Sequence, residues 1–256
     1  MSISTEIQRL LTAKSDLKTA IEDKGVEVGE GTIDTYAGKV REIAGASDVI
    51  DFMRYVKSFT LATTEGLPED LVLNLDNVTT FDNTFSNLKV ENINHLTINC
   101  LNQVTSLFRM IYGGYPTHTY SMERLTLNMD TSKCTNFRQS LTNMPKLKVI
   151  DGMPLDFSSN TNTIGLFDYC FVLEEVRVVE ESIKISMAVN KGIFSKETIT
   201  SFVNGLNGDV TDQTLTLSKT AVNTAFETAE GLADGNTSEE WLNLIATKPN
   251  WTITLS

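Results

Sequence analysis

The chain has 256 residues, 41% of them hydrophobic, which is enough for one large or two modest domains with a real core. Lys and Arg number 21 against 33 acidic residues, and the net charge of −12 opposes both a nucleic-acid backbone and an anionic lipid surface. No basic stripe interrupts that balance and no run of 18 apolar residues occurs, so neither nucleic acid nor membrane is expected as a partner.

Residues 3 to 24 read as a helix. Ile7, Leu10, Leu17 and Ile21 follow a 3-4 spacing, with Lys14 interrupting the seam and Leu11 widening the stripe. Gly25 ends this helix, and "GVEVGEGT" is a turn-rich connector. It is not a phosphate loop, because it follows a helix and lacks the Lys-Ser/Thr ending. A second helix is predicted over "TIDTYAGKVREI", capped by Thr32 or Asp34 and lined by Ile33, Tyr36, Val40 and Ile43. Two short helices need a partner for their apolar stripes, either the rest of the chain or the same helices from other copies. Residues 1 to 46 are set apart as an N-terminal helical stem, the candidate attachment and oligomerisation segment, with Ile7, Leu10, Leu17 and Ile21 as its seam if the partner is another copy. "AGASD" follows as a linker.

From 47 to 190 the pattern is a repeat. Phe59 and Leu61, then Leu71, Leu73 and Leu75, alternate as strands. The triplets Ile93-Leu96-Ile98, Met122-Leu125-Leu127, Leu147-Ile150-Gly152 and Leu173-Val176-Val178 start 29, 25 and 26 residues apart, inside the leucine-rich repeat range. Residues two apart on a strand share a face, so Leu125 and Leu127 point inward while Thr126 meets solvent. Upstream pairs at i, i+3 (Phe85 and Leu88, Phe108 and Ile111, Leu141 and Met144, Phe167 and Cys170) predict a helical turn covering the sheet in each unit. One unit cannot bury both faces alone, so stacking makes the core. "YGGYPTHTY" at 112 to 120 reads as a protruding insertion, and its Tyr112, Tyr115, His118 and Tyr120 form a candidate recognition loop, since aromatic rings stack on sugars and anchor protein interfaces.

Residues 191 to 256 change character and read as C-terminal repeats and a cap. Ile199, Phe202, Val203 and Leu206 define an amphipathic helix closed by Gly208, and a strand "TLTLS" follows. Ser218 caps a helix bearing Ala221, Val222, Ala225, Phe226 and Ala229, and Ser238 caps one bearing Trp241, Leu242 and Ile245 before Pro249. "WTITLS" is the last strand. The expected fold class is α/β: a leucine-rich repeat solenoid with an N-terminal helical stem and a helical and strand C-terminal cap.

Chemistry-bearing constellations are thin. Cys100, Cys134 and Cys170 lie about a repeat apart without a CxxC pair and read as small buried side chains, with no disulfide framework. His95 and His118 have no metal-ligand spacing, and the pairs Glu174-Glu175 and Glu180-Glu181 lack a calcium-loop pattern and read as a solvated edge. No catalytic residues, metal or cofactor are expected, and the chain does not read as an enzyme.

Two resemblances cover most of the sequence. Residues 71 to 256 resemble the BspA-like leucine-rich repeats through "LFDYCFVLEEVRV", "SLTNMPKLKVID", "TLTLSKTA" and "NWTITLS", with Gly152 departing from the apolar pattern. Residues 5 to 43, "TEIQRLLTAKSDLKTAIEDKGVEVGEGTIDTYAGKVREI", resemble the N-terminal segment of structural proteins of phages of gut-type bacteria. That likeness implies a tail, baseplate or head fibre component, a homo-oligomer with a trimer favoured, joined to other virion proteins. Its distal module would face a host-surface glycan or protein. The N-terminus lacks a secretory pattern, which fits a virion protein assembled in the host cytoplasm. The alternative is a bacterial cell-surface repeat protein.

Overall fold

A computed structural model describes residues 3–23, 27–28, 69–75, 78–85, 93–112, 121–226 and 238–256. The chain divides into two compact units, Met1–Tyr55 and Val56–Ser256. In the first, helix α1 spans Ile3–Glu22, with a Lys18–Glu22 pair at i, i+4 and 3.8 Å. Ile21 and Val28 are buried, Leu17 is half-buried and Leu11 is exposed. The side chains of Ile7 and Leu10, and the whole of the second predicted helix, lie outside the described residues.

The second unit is a parallel β-solenoid of about five turns with mixed helix and strand content. Its first sheet contains β1 (Asp70–Asn74), β2 (His95–Gln103), β4 (Arg124–Asp130) and β6 (Val149–Gly152), in the order β1-β2-β4-β6. The register places Leu71, Leu96, Leu125 and Ile150 side by side, and likewise Leu73, Ile98, Leu127 and Gly152. A bridge from Val149 to Glu175 carries the ladder one turn further. Every inward leucine and isoleucine of these rows is at most 4% exposed, so each removes most of a large apolar side chain from water. That burial contributes about 1.5–3 kcal/mol per residue.

Gly152 fills an apolar slot for a backbone reason. Its φ is +93°, and a Cβ there would lie 2.5 Å from the Leu127 carbonyl oxygen. Only glycine accepts both conditions.

The opposite wall corrects the expectation of helical turns. The segments around Phe85, Phe108, Leu141 and Phe167 are hydrogen-bonded turns joined by a second parallel ladder, which includes β3 (Ile111–Tyr112) and β5 (Leu141–Thr142). Their amides bond to the next turn: Asn83 to the Phe108 carbonyl, Arg109 to that of Arg138, and Gln139 to that of Ile164. These donors are unavailable to an i−4 carbonyl, so no helix propagates. A left-handed residue occupies the same station in each turn, at Asn83, Arg109, Gln139 and Gly165 with φ of 56°, 51°, 52° and 69°, and Asn143 and Tyr169 add a second one to the last two. The anchors Phe85, Ile111, Leu141, Met144, Phe167 and Cys170 are buried, as are Leu107 and Met110, while Phe108 is half-buried. Leu88 lies outside the described residues.

A threonine row closes the corner between the walls. The N–H and Oγ1 of Thr105 both donate to the Thr79 carbonyl, those of Thr135 to Thr105, and those of Thr161 to Thr135, at 2.7–3.3 Å. On the outer face of the sheet, Asn99 donates to Asn74 and Asn128 to Asn99 at 2.7 and 2.8 Å. Such rows satisfy each polar group with its counterpart one turn away.

From Lys196 onward the outer layer becomes helical. β7 (Met187–Val189), β8 (Gln213–Leu217) and β9 (Trp251–Leu255) form a second parallel sheet, interleaved with α2 (Lys196–Gly205), α3 (Lys219–Ala225) and α4 (Glu239–Ala246). Ser195, Ser218 and Ser238 cap these helices by accepting from the amides of Thr198, Ala221 and Trp241. The predicted face of Ile199, Phe202, Val203 and Leu206 is fully buried, and the helix ends at Gly205, three residues before Gly208. Phe167, Phe194 and Phe202 form a cluster with centroids 5.7–6.4 Å apart. Phe226 meets the buried Trp241 at 5.2 Å. Leu242 is exposed, so α4 buries a narrower stripe than its sequence suggests.

Candidate recognition surface

Of the predicted recognition loop, the structure describes Tyr112, which ends β3 and is half-buried; Tyr115, His118 and Tyr120 lie outside the described residues. The first sheet steps by 29 residues from His95 to Arg124 and by 25 on either side, so this turn holds the extra length seen in the sequence. Arg109, three residues before Tyr112, was not legible as a site residue. Its guanidinium lies over the Tyr112 ring at 4.7 Å and over the Phe108 ring at 5.1 Å, and its Nε donates to Gln139 Oε1 at 2.9 Å. The left-handed row explains the placement: Arg109 and Gln139 occupy the same station on consecutive turns, so their side chains leave the wall together. Neither residue type signals a left-handed position in a sequence.

A second polar group covers the outer face of the first sheet. Thr126 Oγ1 lies 2.8 Å from His95 Nε2 and donates to Asp151 at 2.5 Å, while Arg124 pairs with the other Asp151 oxygen. Asp70 lies 3.8 Å from His95 Nδ1. Burial raises the cost of ionising Asp151, but the Thr126 and Arg124 hydrogen bonds and the Arg124 charge outweigh it and hold the carboxyl below its ordinary range. The network joins four successive turns, a tying role for His95, which the sequence marked only as lacking metal-ligand spacing.

The acidic pairs part company. Glu181 accepts from Lys248 Nζ and, at 2.5 Å, from the Gly208 amide, and these bonds, the Lys248 one foremost, lower its pKa. Lys248 is 8% exposed and also donates to the carbonyls of Leu206 and Asn204 at 2.6 and 3.2 Å, so it closes the C-terminal end of α2. Glu181 belongs to a structural clasp, and with its side chain 53% exposed it also keeps the expected place on a solvated edge. Beside α2 lies a wide-mouthed depression of about 440 Å³, lined by Glu180, Lys196, Glu197, Thr200 and Ser201.

All three cysteines are buried free thiols. Burial pushes Cys134 and Cys170 up to about 12, which leaves them un-ionised and unreactive at neutral pH. Among the described residues no group of three or more His, Cys, Asp or Glu could hold a metal ion, and no helix is long and apolar enough to cross a membrane. The chain matches no protein-family model, no curated protein and no solved structure.

Proposed function

We propose that the chain is a structural subunit of a phage particle, of the fibre or spike type, whose repeat module faces outward and binds a host-surface receptor. In this reading the turns are leucine-rich repeats of the BspA-like kind, and α1 with its following segment attaches the subunit to other virion proteins, as a trimer. The work is structural and recognitive, without catalysis or a cofactor.

The observation that carries the reading is the division into a unit containing a 20-residue helix and a separate solenoid unit, the arrangement implied by the likeness of residues 5 to 43. The solenoid supports it physically. Each turn is fixed by contacts with its neighbours, which makes a stiff platform on which side chains project at constant intervals. Removing residues 1 to 46 and measuring mass in solution tests the attachment role. The truncated chain is expected to be monomeric where the full chain is oligomeric; an unchanged oligomeric state rules out the stem.

A further inference from the structure

Resting on the recognition role proposed above, we infer that the Arg109 station is a binding site for a carboxylate-bearing sugar, of the uronic or sialic acid class. The argument begins with the guanidinium itself. It is half-buried, held over two aromatic rings, and its Nε is committed to Gln139. Among the described residues its remaining N–H groups donate to no protein atom. A planar fork fixed in direction with its outer donors open is the arrangement that receives a carboxylate through two parallel hydrogen bonds.

Its surroundings favour a sugar. Phe108 and Tyr112 flank the guanidinium and both are half-buried, and aromatic rings are the groups on which the C–H face of a pyranose stacks. Arg138 lies on the next turn and is exposed. Its guanidinium makes no hydrogen bond or ion pair among the described residues, and its backbone carbonyl accepts from the Arg109 amide at 3.1 Å, so it is a second arginine on the adjoining turn. The other two arginines with described side chains are engaged, Arg124 with Asp151 and Arg177 with the Gly152 carbonyl. The net charge of −12 repels a polyanion at long range, but that repulsion is screened beyond about 8–10 Å in physiological salt. Two local arginines therefore admit an isolated carboxylate on an otherwise neutral saccharide and disfavour a dense polyphosphate or an acidic protein face.

The test uses the full chain in solution. Sialyl-lactose and a glucuronate-ended tetrasaccharide are titrated by calorimetry, alongside their carboxyl-reduced counterparts and a short peptide with a single glutamate. One acidic sugar is expected to bind at least about tenfold more tightly than its reduced form, the margin of one charge-assisted hydrogen bond. Arg109→Gln removes that margin, Arg109→Lys restores part of it and Arg138→Gln weakens binding by a few-fold. Gln occupies the same left-handed station in the next turn, at Gln139, so Arg109→Gln is compatible with the fold, and its thermal melt verifies this. Equal binding of acidic and reduced sugars, unchanged affinity in folded Arg109→Gln, preference for the peptide, or no binding of either sugar would each overturn the inference. The purified chain is measured without a particle, so this result and the location of the protein on virions succeed or fail separately.

Discussion

The two sheets of the solenoid bury the same kind of inward pair under different outer layers. Between Asp70 and Gly152, Leu96 with Ile98 or Leu125 with Leu127 face a wall of turns whose backbone and side chains bond from one turn to the next. Between Met187 and Leu255, Leu215 and Leu217 are equally buried, but capped helices cover them. The inward strand pair thus sets the period, and the outer layer can be either kind, provided it satisfies its own backbone groups. Inter-turn bonds do this in the first region and serine caps in the second.

The strongest challenge to the comparison is a cavity in each sheet. Leu125→Ala and Leu215→Ala each remove a fully buried side chain, and each is expected to cost about 2–5 kcal/mol in denaturant titration. If the two sheets form one cooperative stack, both variants shift a single transition. Gly152→Ala comes next, at roughly 1–3 kcal/mol, because it forces a Cβ against the Leu127 carbonyl at positive φ. Lys248→Met leaves the Leu206 carbonyl without the Lys248 donor and the Asn204 carbonyl with the Glu181 amide alone, at about 1–3 kcal/mol, and confines its effect to the helical region.

The same clasp has a pH signature. Glu181 has a lowered pKa in the folded chain, so its stabilisation is present above the ordinary carboxylate range and is lost as pH falls through the depressed folded value. The gap in melting temperature between the parent chain and Lys248→Met is therefore expected to narrow on acidification, to the part owed to the carbonyl bonds. The smallest effects separate the outer layers directly. Ser218→Ala should cost about 1 kcal/mol through its helix cap, and Thr135→Val, which loses one exposed hydroxyl bond in the turn wall, about half of that.

This difference also decided what could be read from the residues. The C-terminal helices were legible because Ser218 and Ser238 mark the starts of two of them and Ile199, Phe202 and Val203 repeat at helical spacing in the third. The inward triplets were legible because period two leaves an unambiguous trace. The turn wall was not. An i, i+3 pair such as Phe167 and Cys170 fits a hydrogen-bonded turn as well as a helix, and the left-handed stations at Arg109 and Gln139 carry no glycine or asparagine to announce them. For the same reason the aromatic insertion drew attention to Tyr112, while the guanidinium organised beside it depended on a neighbour 30 residues away.

The central claim, that this chain is an outward-facing subunit of a phage particle, is tested most directly by imaging intact particles with an antibody raised against the solenoid. The account predicts label at fixed sites on the particle exterior, accessible without disruption. Particles free of label, with the protein found elsewhere in the lysate or on the bacterial surface, would contradict it.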